Sequence, residues 1–164
     1  RVEAIVLRPD RQSAAVHVAE ARAEPGYGLM GDRRALSKQE RGDARKREVT
    51  LLQAEHLPVV ARWCGLQTLD ASRLRRNLVI SGINLLAMRS PFRGMRLEWQ
   101  IGDEACIEIT GTCDPCSKME RELGTGAYNA LRGHGGMTAM ILVGGLIRTG
   151  DGVRLKAVHH VDAR

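Results

Sequence analysis

The sequence is divided into many short segments whose apolar residues follow the spacing of β-strands. Arg96–Ile101 and Glu104–Thr110 alternate apolar with polar residues, and Ala105, Ile107 and Ile109 fall on one face of the second segment. The other predicted strands are Val2–Leu7, Ala14–Ala21, Val49–Leu52, Leu78–Ile80, Ala139–Val143 and Val153–Val158. This pattern predicts a sheet-rich fold.

Glycine–aspartate pairs mark turns along the chain. They occur at Gly31-Asp32, Gly102-Asp103 and Gly150-Asp151, and the last two come immediately before strands, where glycine supplies an unusual φ and aspartate caps the turn. Such turns are typical of a closed, barrel-like sheet. The predicted helices are Ala54–Cys64, Pro115–Leu123 and Gly126–Leu131, and Lys38–Lys46 is predicted to be a mobile loop. The expected fold is therefore a β-rich α+β barrel with a few short helices.

Chain length and cysteine content set the expected domain count and compartment. A chain of 164 residues is long enough for one domain, residues 1–164, with a core that needs no disulfides. No stretch reaches the roughly 18 apolar residues of a membrane span, and no signal peptide is visible. Since the four cysteines are irregularly placed and form no disulfide framework, we expect a cytoplasmic protein with no membrane partner.

The charge balance points to an anionic ligand. The formal net charge is +6, and arginine clusters at Arg33-Arg34, Arg41–Arg47 and Arg73–Arg76 supply most of the excess. Guanidinium groups bind phosphate in a bidentate manner. Aromatic residues make up only 3% of the chain, which leaves few platforms for stacking on single strands. A small phosphorylated ligand fits this composition better than nucleic acid.

The run Thr112–Glu120 contains the most reactive candidate side chain. Asp114 is a good helix N-cap and Pro115 suits the first helical position, so Cys116 is predicted to lie at the positive end of a helix. That position favours the thiolate, which metal binding and sulfur transfer require. An inert, half-buried cysteine in a turn is the alternative.

Cys113 and Cys116 also form a CxxC pair, which suits zinc binding or thiol redox chemistry. Zinc would need a second pair or two histidines at regular spacing, and neither Cys106 nor His134 completes a known pattern. A thioredoxin-like motif belongs in a βαβ unit, which this strand-rich chain lacks. Cys64 lies on the apolar face of its predicted helix and is assigned to the core.

Basic and amide side chains are concentrated just before the predicted strand Leu78–Ile80. In an extended segment Arg73, Arg75 and Asn77 project to one face, where they could clamp a phosphate and contact the polar edge of a ring. A solvated strand edge guarded by charge is the alternative. The glycine-rich stretch Gly133–Met137 is interpreted as a turn rather than an anion-binding nest, because it lacks the ending of a P-loop.

In their order and spacing, these pieces resemble the MOSC domain, the module named for the C-terminal part of molybdenum cofactor sulfurase. The matching elements are Gly31-Asp32-Arg33, Val49–Leu52 with Glu55, Arg73/Arg75/Asn77 with Gly82, Ile101-Gly102-Asp103, Cys113–Cys116, Gly135-Gly136 and Gly145–Asp151. The resemblance covers nearly the whole chain. It implies a barrel-like, β-rich fold with a cleft for the molybdenum cofactor (molybdopterin), a pterin that carries a phosphate and a dithiolene.

The resemblance also implies roles for individual residues. Cys116 matches the family's invariant cysteine, which carries sulfur as a persulfide or ligates molybdenum, so it is the expected catalytic residue and metal ligand. Arg75 and Asn77 match a pair that contacts the pterin and its phosphate, and Arg33 matches a basic position in the same cleft. With Arg73, these complete the predicted cofactor-binding residues. Arg34 departs from the family, whose members of this size often have histidine after the Gly-Asp-Arg motif.

The function implied is that of a molybdenum cofactor protein that reduces N-hydroxylated substrates or carries sulfur or cofactor through Cys116. Its expected partners are an electron-donating reductase or a sulfur-donating desulfurase, with molybdoenzymes as recipients. The pyridoxal-phosphate domain of full-length sulfurases does not fit within 164 residues, so pyridoxal phosphate is not expected to bind. The alternatives are a basic β-barrel that binds nucleic acid and a CxxC thiol redox protein.

Overall fold

Strands form most of the regular structure in the computed structural model, which describes residues 1–36 and 44–160. The strands are β1 (Val2–Leu7), β2 (Val16–Val18), β3 (Glu20–Glu24), β4 (Gly28–Leu29), β5 (Val49–Gln53), β6 (Leu78–Ile80), β7 (Met95–Ile101), β8 (Ala105–Thr112), β9 (Met137–Val143), β10 (Gly145–Arg148) and β11 (Val153–His160). The helices are α1 (Arg33–Leu36), α2 (His56–Trp63), α3 (Ala71–Leu74), α4 (Ser117–Leu123) and α5 (Ala127–Ala130), with a 3₁₀ helix at Ala44–Arg47. The predicted β-rich α+β class with a few short helices is confirmed.

The strands form two sheets. An eight-stranded sheet has the order β11-β7-β8-β9-β5-β6-β1-β2, and a three-stranded sheet has the order β10-β3-β4. Strands β5 and β6 pair in parallel, with Leu51 opposite Leu78. This register sets Asn77 beside Thr50, and the Asn77 backbone N–H donates to the Thr50 carbonyl at 2.9 Å. The parallel pair therefore brings together residues from distant parts of the chain next to the site described below.

Strands β5 and β6 are buried on both faces, because successive side chains of a strand point in opposite directions. Leu51 and Leu78 belong to a core cluster that contains residues of both sheets. Their neighbours Leu52 and Val79 belong to a second cluster with the apolar sides of the helices. Met119 of α4 is part of that second cluster and only 2% exposed, so core packing fixes the helix that follows Cys116.

Several predicted elements are corrected by the structure. The predicted strand Ala14–Ala21 is divided into β2, which pairs with β1, and β3, which pairs with β10 in the other sheet. Strand β10 and helix α3 were not predicted. The predicted loop Lys38–Lys46 lies mostly outside the described residues, and its last described part belongs to the 3₁₀ helix. Among residues 1–36 and 44–160, no helix is long and apolar enough to cross a bilayer.

Candidate functional site

Cys116 immediately precedes helix α4. It is the N-cap residue, with φ −129° and ψ 169°, and its side chain makes no capping hydrogen bond. The prediction that Asp114 caps this helix and Pro115 begins it is wrong. The first turn closes on the Cys116 carbonyl, which accepts a hydrogen bond from the Met119 backbone N–H at 2.8 Å, so both residues lie ahead of the cap. The Cys116 residue is exposed, and its thiol is free.

Cys116 borders a cleft of about 260 Å³ that is rich in positive charge. Its cationic lining residues are Arg8, Arg11, Arg33, Arg34, Arg75, Arg76 and Lys118. The other lining residues are Thr50, Leu74, Cys113 and Met119. Within the described part of the chain, no acidic side chain lines the cleft. Such a concentration of positive charge favours the binding of an anion beside the thiol.

A buried polar network lies against the cleft and is centred on Asp32. Arg8 binds its carboxylate with two hydrogen bonds, at 2.8 Å from Nε and 3.0 Å from Nη2. Asn77 donates to the same carboxylate through Nδ2 at 2.9 Å, and its Oδ1 accepts from Arg8 and from the Thr50 hydroxyl. Burial raises the pKa of Asp32, but the hydrogen bonds and charge of Arg8 outweigh that effect and hold the pKa below its usual value. The side chain of Asn77, a predicted cofactor-binding residue, is therefore hydrogen-bonded within the protein, to Arg8, Asp32, Thr50 and the Val6 carbonyl.

Arg33 follows Asp32 and lines the cleft. Its backbone N–H donates to the Arg8 carbonyl at 2.7 Å. Its Nε atom is buried and has no hydrogen-bond partner among the described residues. Burial, followed by the charge of Arg8, lowers the pKa of Arg33. The neighbouring Arg34 donates to the Arg47 carbonyl and through its backbone N–H to Asp32, and burial likewise lowers its pKa.

The prediction that Arg73, Arg75 and Asn77 share one face of an extended segment is wrong. Asp70 caps helix α3 by accepting from the Ser72 backbone N–H, and Arg73 lies within that helix. Arg75 follows in the left-handed conformation with φ 58°, which turns the chain out of the helix toward β6. The three side chains consequently diverge instead of forming one clamp.

Arg75 and Arg73 border adjoining spaces. Arg75 lines the Cys116 cleft, and one of its Nη atoms donates to the Ser13 carbonyl at 3.1 Å. Arg75 also lines a neighbouring groove of about 290 Å³ together with Arg73. Arg73 forms an ion pair there with Glu122 at 3.1 Å between Nε and Oε1. The structure therefore brings Arg33 and Arg75 together with Cys116, while Arg73 lies in the next groove.

Arg76 connects the cysteine-containing loop to the glycine-rich turn. Its Nε donates to the Gly135 carbonyl at 2.7 Å and its Nη2 to the Cys113 carbonyl at 3.4 Å. The two segments touch so closely that a Cβ at Gly135 would collide with the Cys113 carbonyl oxygen. At Gly136, with φ 93°, a Cβ would collide with the Leu51 carbonyl oxygen. Glycine is therefore required at both positions by close backbone approach.

A second cavity of about 210 Å³ adjoins the cleft, and Cys113 lines both spaces. His56 contributes to its wall. The His56 ring meets the His134 ring edge-on at a centroid distance of 4.5 Å, and Trp63 packs on His134 at 5.1 Å. His134 is thus half-buried against aromatic rings.

Several cleft residues were not predicted from the sequence. They include Arg8, Arg76 and Lys118. Arg8 carries a usable signal, because an arginine directly after a buried strand is costly unless an acidic residue compensates it. The pairing of Arg8 with Asp32 spans 24 residues and depends on tertiary structure.

The fold and site together define a β-rich α+β protein with an exposed cysteine in an arginine-lined cleft. The sequence profile of the MOSC domain matches residues 29–154. The chain belongs to the MOSC domain family.

Solved structures agree on the fold. The YuaD protein from Bacillus subtilis superposes with a TM-score of 0.73 at 18% identity, over 98% of this chain and 96% of that one. YiiM from Geobacillus stearothermophilus superposes with a TM-score of 0.71 at 15% identity, over 96% of this chain and 75% of that one. YiiM from Escherichia coli superposes with a TM-score of 0.66 at 18% identity, over 96% of this chain and 70% of that one. No curated protein matches the chain in sequence.

Proposed function

We propose that the protein binds the molybdenum cofactor in the Cys116 cleft and reduces N-hydroxylated substrates there. The observation that carries the proposal is the buried Nε of Arg33, which has no hydrogen-bond partner among the described residues and belongs to a cationic cleft that ends at an exposed thiol. A phosphate oxygen is the kind of acceptor that this guanidinium group takes. The Cys116 thiolate is the soft donor that suits molybdenum. The residues present therefore fit the group.

Each side chain of the cleft has a distinct role in this proposal. Arg33 and Arg75 would hold the phosphate, and Arg73, which borders the adjoining groove, would contact the remainder of the cofactor. Asn77 contributes indirectly, because its side-chain oxygen accepts a hydrogen bond from Arg8 and so positions that residue. Cys116 ligates the metal. The free thiols of the four cysteines fit the reducing cytoplasm, where we place the activity.

The reaction needs a partner. Reduction of R–NHOH to R–NH₂ consumes two electrons and two protons and releases water. When bound, the cofactor supplies a redox-active metal that delivers the electrons to the N–O bond. The electrons come from a flavin- or iron–sulfur-containing reductase. The cleft residues would hold the cofactor, and the exposed Cys116 thiol would bind the metal where a substrate can reach it.

Transfer of sulfur or cofactor to molybdoenzymes is a second candidate function, favoured by the same exposure of Cys116. The Cys116 thiolate would attack the outer sulfur of a desulfurase persulfide, form its own persulfide and release the donor's thiolate. This activity requires that a partner protein reach the sulfur atom. It does not require a reducible substrate.

The testing experiment measures molybdenum after incubation with freshly released cofactor and desalting. Wild type, Cys116→Ser and the matched control Cys113→Ser are compared, since the control changes the half-buried partner of the same CxxC pair. We expect stoichiometric metal in wild type and Cys113→Ser, and its loss in Cys116→Ser. No metal in any of the three, with the cofactor shown to be active in a control apoenzyme, would overturn the proposal.

Loaded protein is then assayed for reduction of benzamidoxime with a reductase, and unloaded protein for persulfide formation with a desulfurase. Reduction that depends on Cys116 supports the first function. Metal binding without reduction, together with a persulfide on Cys116, assigns the second. Nucleic-acid affinity that falls steeply with salt and is unchanged in Cys116→Ser would favour a nucleic-acid-binding module instead.

A further inference from the structure

The cavity behind Cys113 differs from the cationic cleft in charge. Its walls include His56, Leu85, Leu86, Thr112, Cys113 and Met137. Among the described residues, no lysine or arginine lines it, and Asp114 contributes negative charge at its wall. A phosphorylated ligand is therefore disfavoured here, although the neighbouring cleft attracts one.

The size of the cavity also limits its ligand. Its volume is about 210 Å³, below the roughly 300–1,000 Å³ of pockets for drug-sized ligands. One or two rings fit such a space. Leu85 is only 2% exposed and Met137 4%, so two apolar walls are held by the core. Gly135 and Gly136 add a wall without side chains.

We propose that this cavity binds the uncharged ring of the N-hydroxylated substrate, as an amidoxime or a free base and not as a nucleotide. The inference rests on the proposed function. Cys113 lines both spaces, so the cavity and the Cys116 cleft share this residue as a wall. The phosphate of the cofactor and the ring of the substrate are thus sorted by charge into two adjoining sites.

His56 provides a buried polar contact in the cavity, whose lining also includes the amide side chains of Gln53 and Asn84. Its Nδ1 is buried and has no hydrogen-bond partner among the described residues. Burial, and next the charge of His134, lower the pKa of His56, so its imidazole is neutral at neutral pH. A neutral imidazole can accept or donate a hydrogen bond to an uncharged amidoxime without fixing a charge beside it. Unsatisfied buried polar atoms are rare, and a hydrogen-bonding ligand accounts for this one.

Binding is tested on the protein without cofactor, by calorimetry and by NMR shift mapping with benzamidoxime. Thr112 is exposed and lines the cavity, so Thr112→Trp fills the space without disturbing the core. Leu155→Trp on β11 is the matched control, since Leu155 is 46% exposed and lies outside the cavity lining. Phenyl phosphate is the charged probe that carries the same ring.

We expect Thr112→Trp to raise the Kd of benzamidoxime by ~10-fold or more. The surface control should stay within about 2-fold of wild type. Wild type should bind phenyl phosphate more weakly in the cavity than benzamidoxime. Unchanged affinity in Thr112→Trp, with its fold confirmed by circular dichroism, or NMR shifts confined to the arginine cleft, would overturn the inference.

The experiments distinguish a failure of the cavity proposal from a failure of the proposed function. Benzamidoxime binding that Thr112→Trp abolishes and Cys116→Ser leaves intact supports the cavity even if wild type takes up no molybdenum. Conversely, a loaded protein whose KM for benzamidoxime is unchanged by Thr112→Trp keeps the proposed function and overturns the cavity.

Discussion

Arg8 and Arg33 are adjacent in the structure, yet their surroundings differ. The Arg8 guanidinium has the carboxylate of Asp32 and the amide oxygen of Asn77 as partners, and all three residues are buried. Arg33 faces the cleft with a buried Nε that has no hydrogen-bond partner among the described residues. The difference separates an arginine whose charge is used within the fold from one whose charge remains available to a ligand.

The largest effect is expected from breaking the buried pair. Asp32→Ala leaves the Arg8 charge buried without compensation, which costs about 3–5 kcal/mol in comparable cases. Urea denaturation of wild type and variant measures the loss of unfolding free energy. Asp114→Ala is the control, because that carboxylate is exposed, and it should change the stability little. A loss below about 1 kcal/mol would show that the network is not needed for the fold.

A half-buried carboxylate far from the cleft tests whether paired charge generally stabilises this fold. Glu98 accepts hydrogen bonds from Lys156 at 2.8 Å and His159 at 2.9 Å. The hydrogen bonds from Lys156 and then His159 lower the pKa of Glu98 from 4.5 to about 2. Since the folded-state pKa is depressed, this stabilisation is present above pH 4.5 and is lost as the pH falls toward 2.

We therefore expect Glu98→Gln to be less stable than wild type at neutral pH. Its loss of unfolding free energy should be smaller than that of Asp32→Ala. The difference should close between pH 4.5 and 2. Chemical denaturation across that range measures it, provided that the wild type remains folded at the acid end. A constant difference across the range would mean that the carboxylate charge contributes nothing.

An exposed ion pair should contribute little. Arg73 and Glu122 side chains are 37% and 47% exposed, so Arg73→Ala should cost less than about 1 kcal/mol. Raising the salt concentration should reduce even that difference, because solvent ions screen exposed charges. Thermal unfolding at low and high salt provides the measurement, with Glu122→Ala as the matched partner variant. A large loss of stability that does not depend on salt would show that this exposed pair stabilises the fold as the buried Arg8–Asp32 pair does.

The smallest effect on stability is expected at Arg33, where the effect on ligand binding is large. Arg33→Gln removes a cation that lies close to the Arg8 charge, and stability should stay within about 0.5 kcal/mol of wild type or rise. Cofactor retention should fall. Denaturation and molybdenum content of the same sample distinguish the two effects. A large loss of stability in Arg33→Gln would show that Arg33, like Arg8, is needed for the fold.

Local patterns predicted much of the fold and little of the cleft geometry. Strands such as β7 and β11 follow from the alternation of apolar residues, which is a property of neighbouring positions. The prediction that Arg73 to Asn77 form an extended segment is wrong because Asp70 caps a helix turn and Arg75 takes a left-handed conformation. The capping signal at Asp70 was present in the sequence and outweighed by the apolar strand that follows.

The sequence by itself determined the sheet-rich class and the family, and it marked Cys116 as the candidate reactive residue, because order and spacing of motifs are carried along the chain. Tertiary structure alone decided which cations surround that thiol. Arg8 meets Asn77 across 69 residues, and the parallel register of β5 and β6 sets Asn77 beside Thr50. Such contacts depend on how strands pair and what they bury, and no local pattern specifies them. For this reason Arg73, close to Arg75 in sequence, does not line the Cys116 cleft, whereas Arg33 and Cys116, far apart in sequence, both line it.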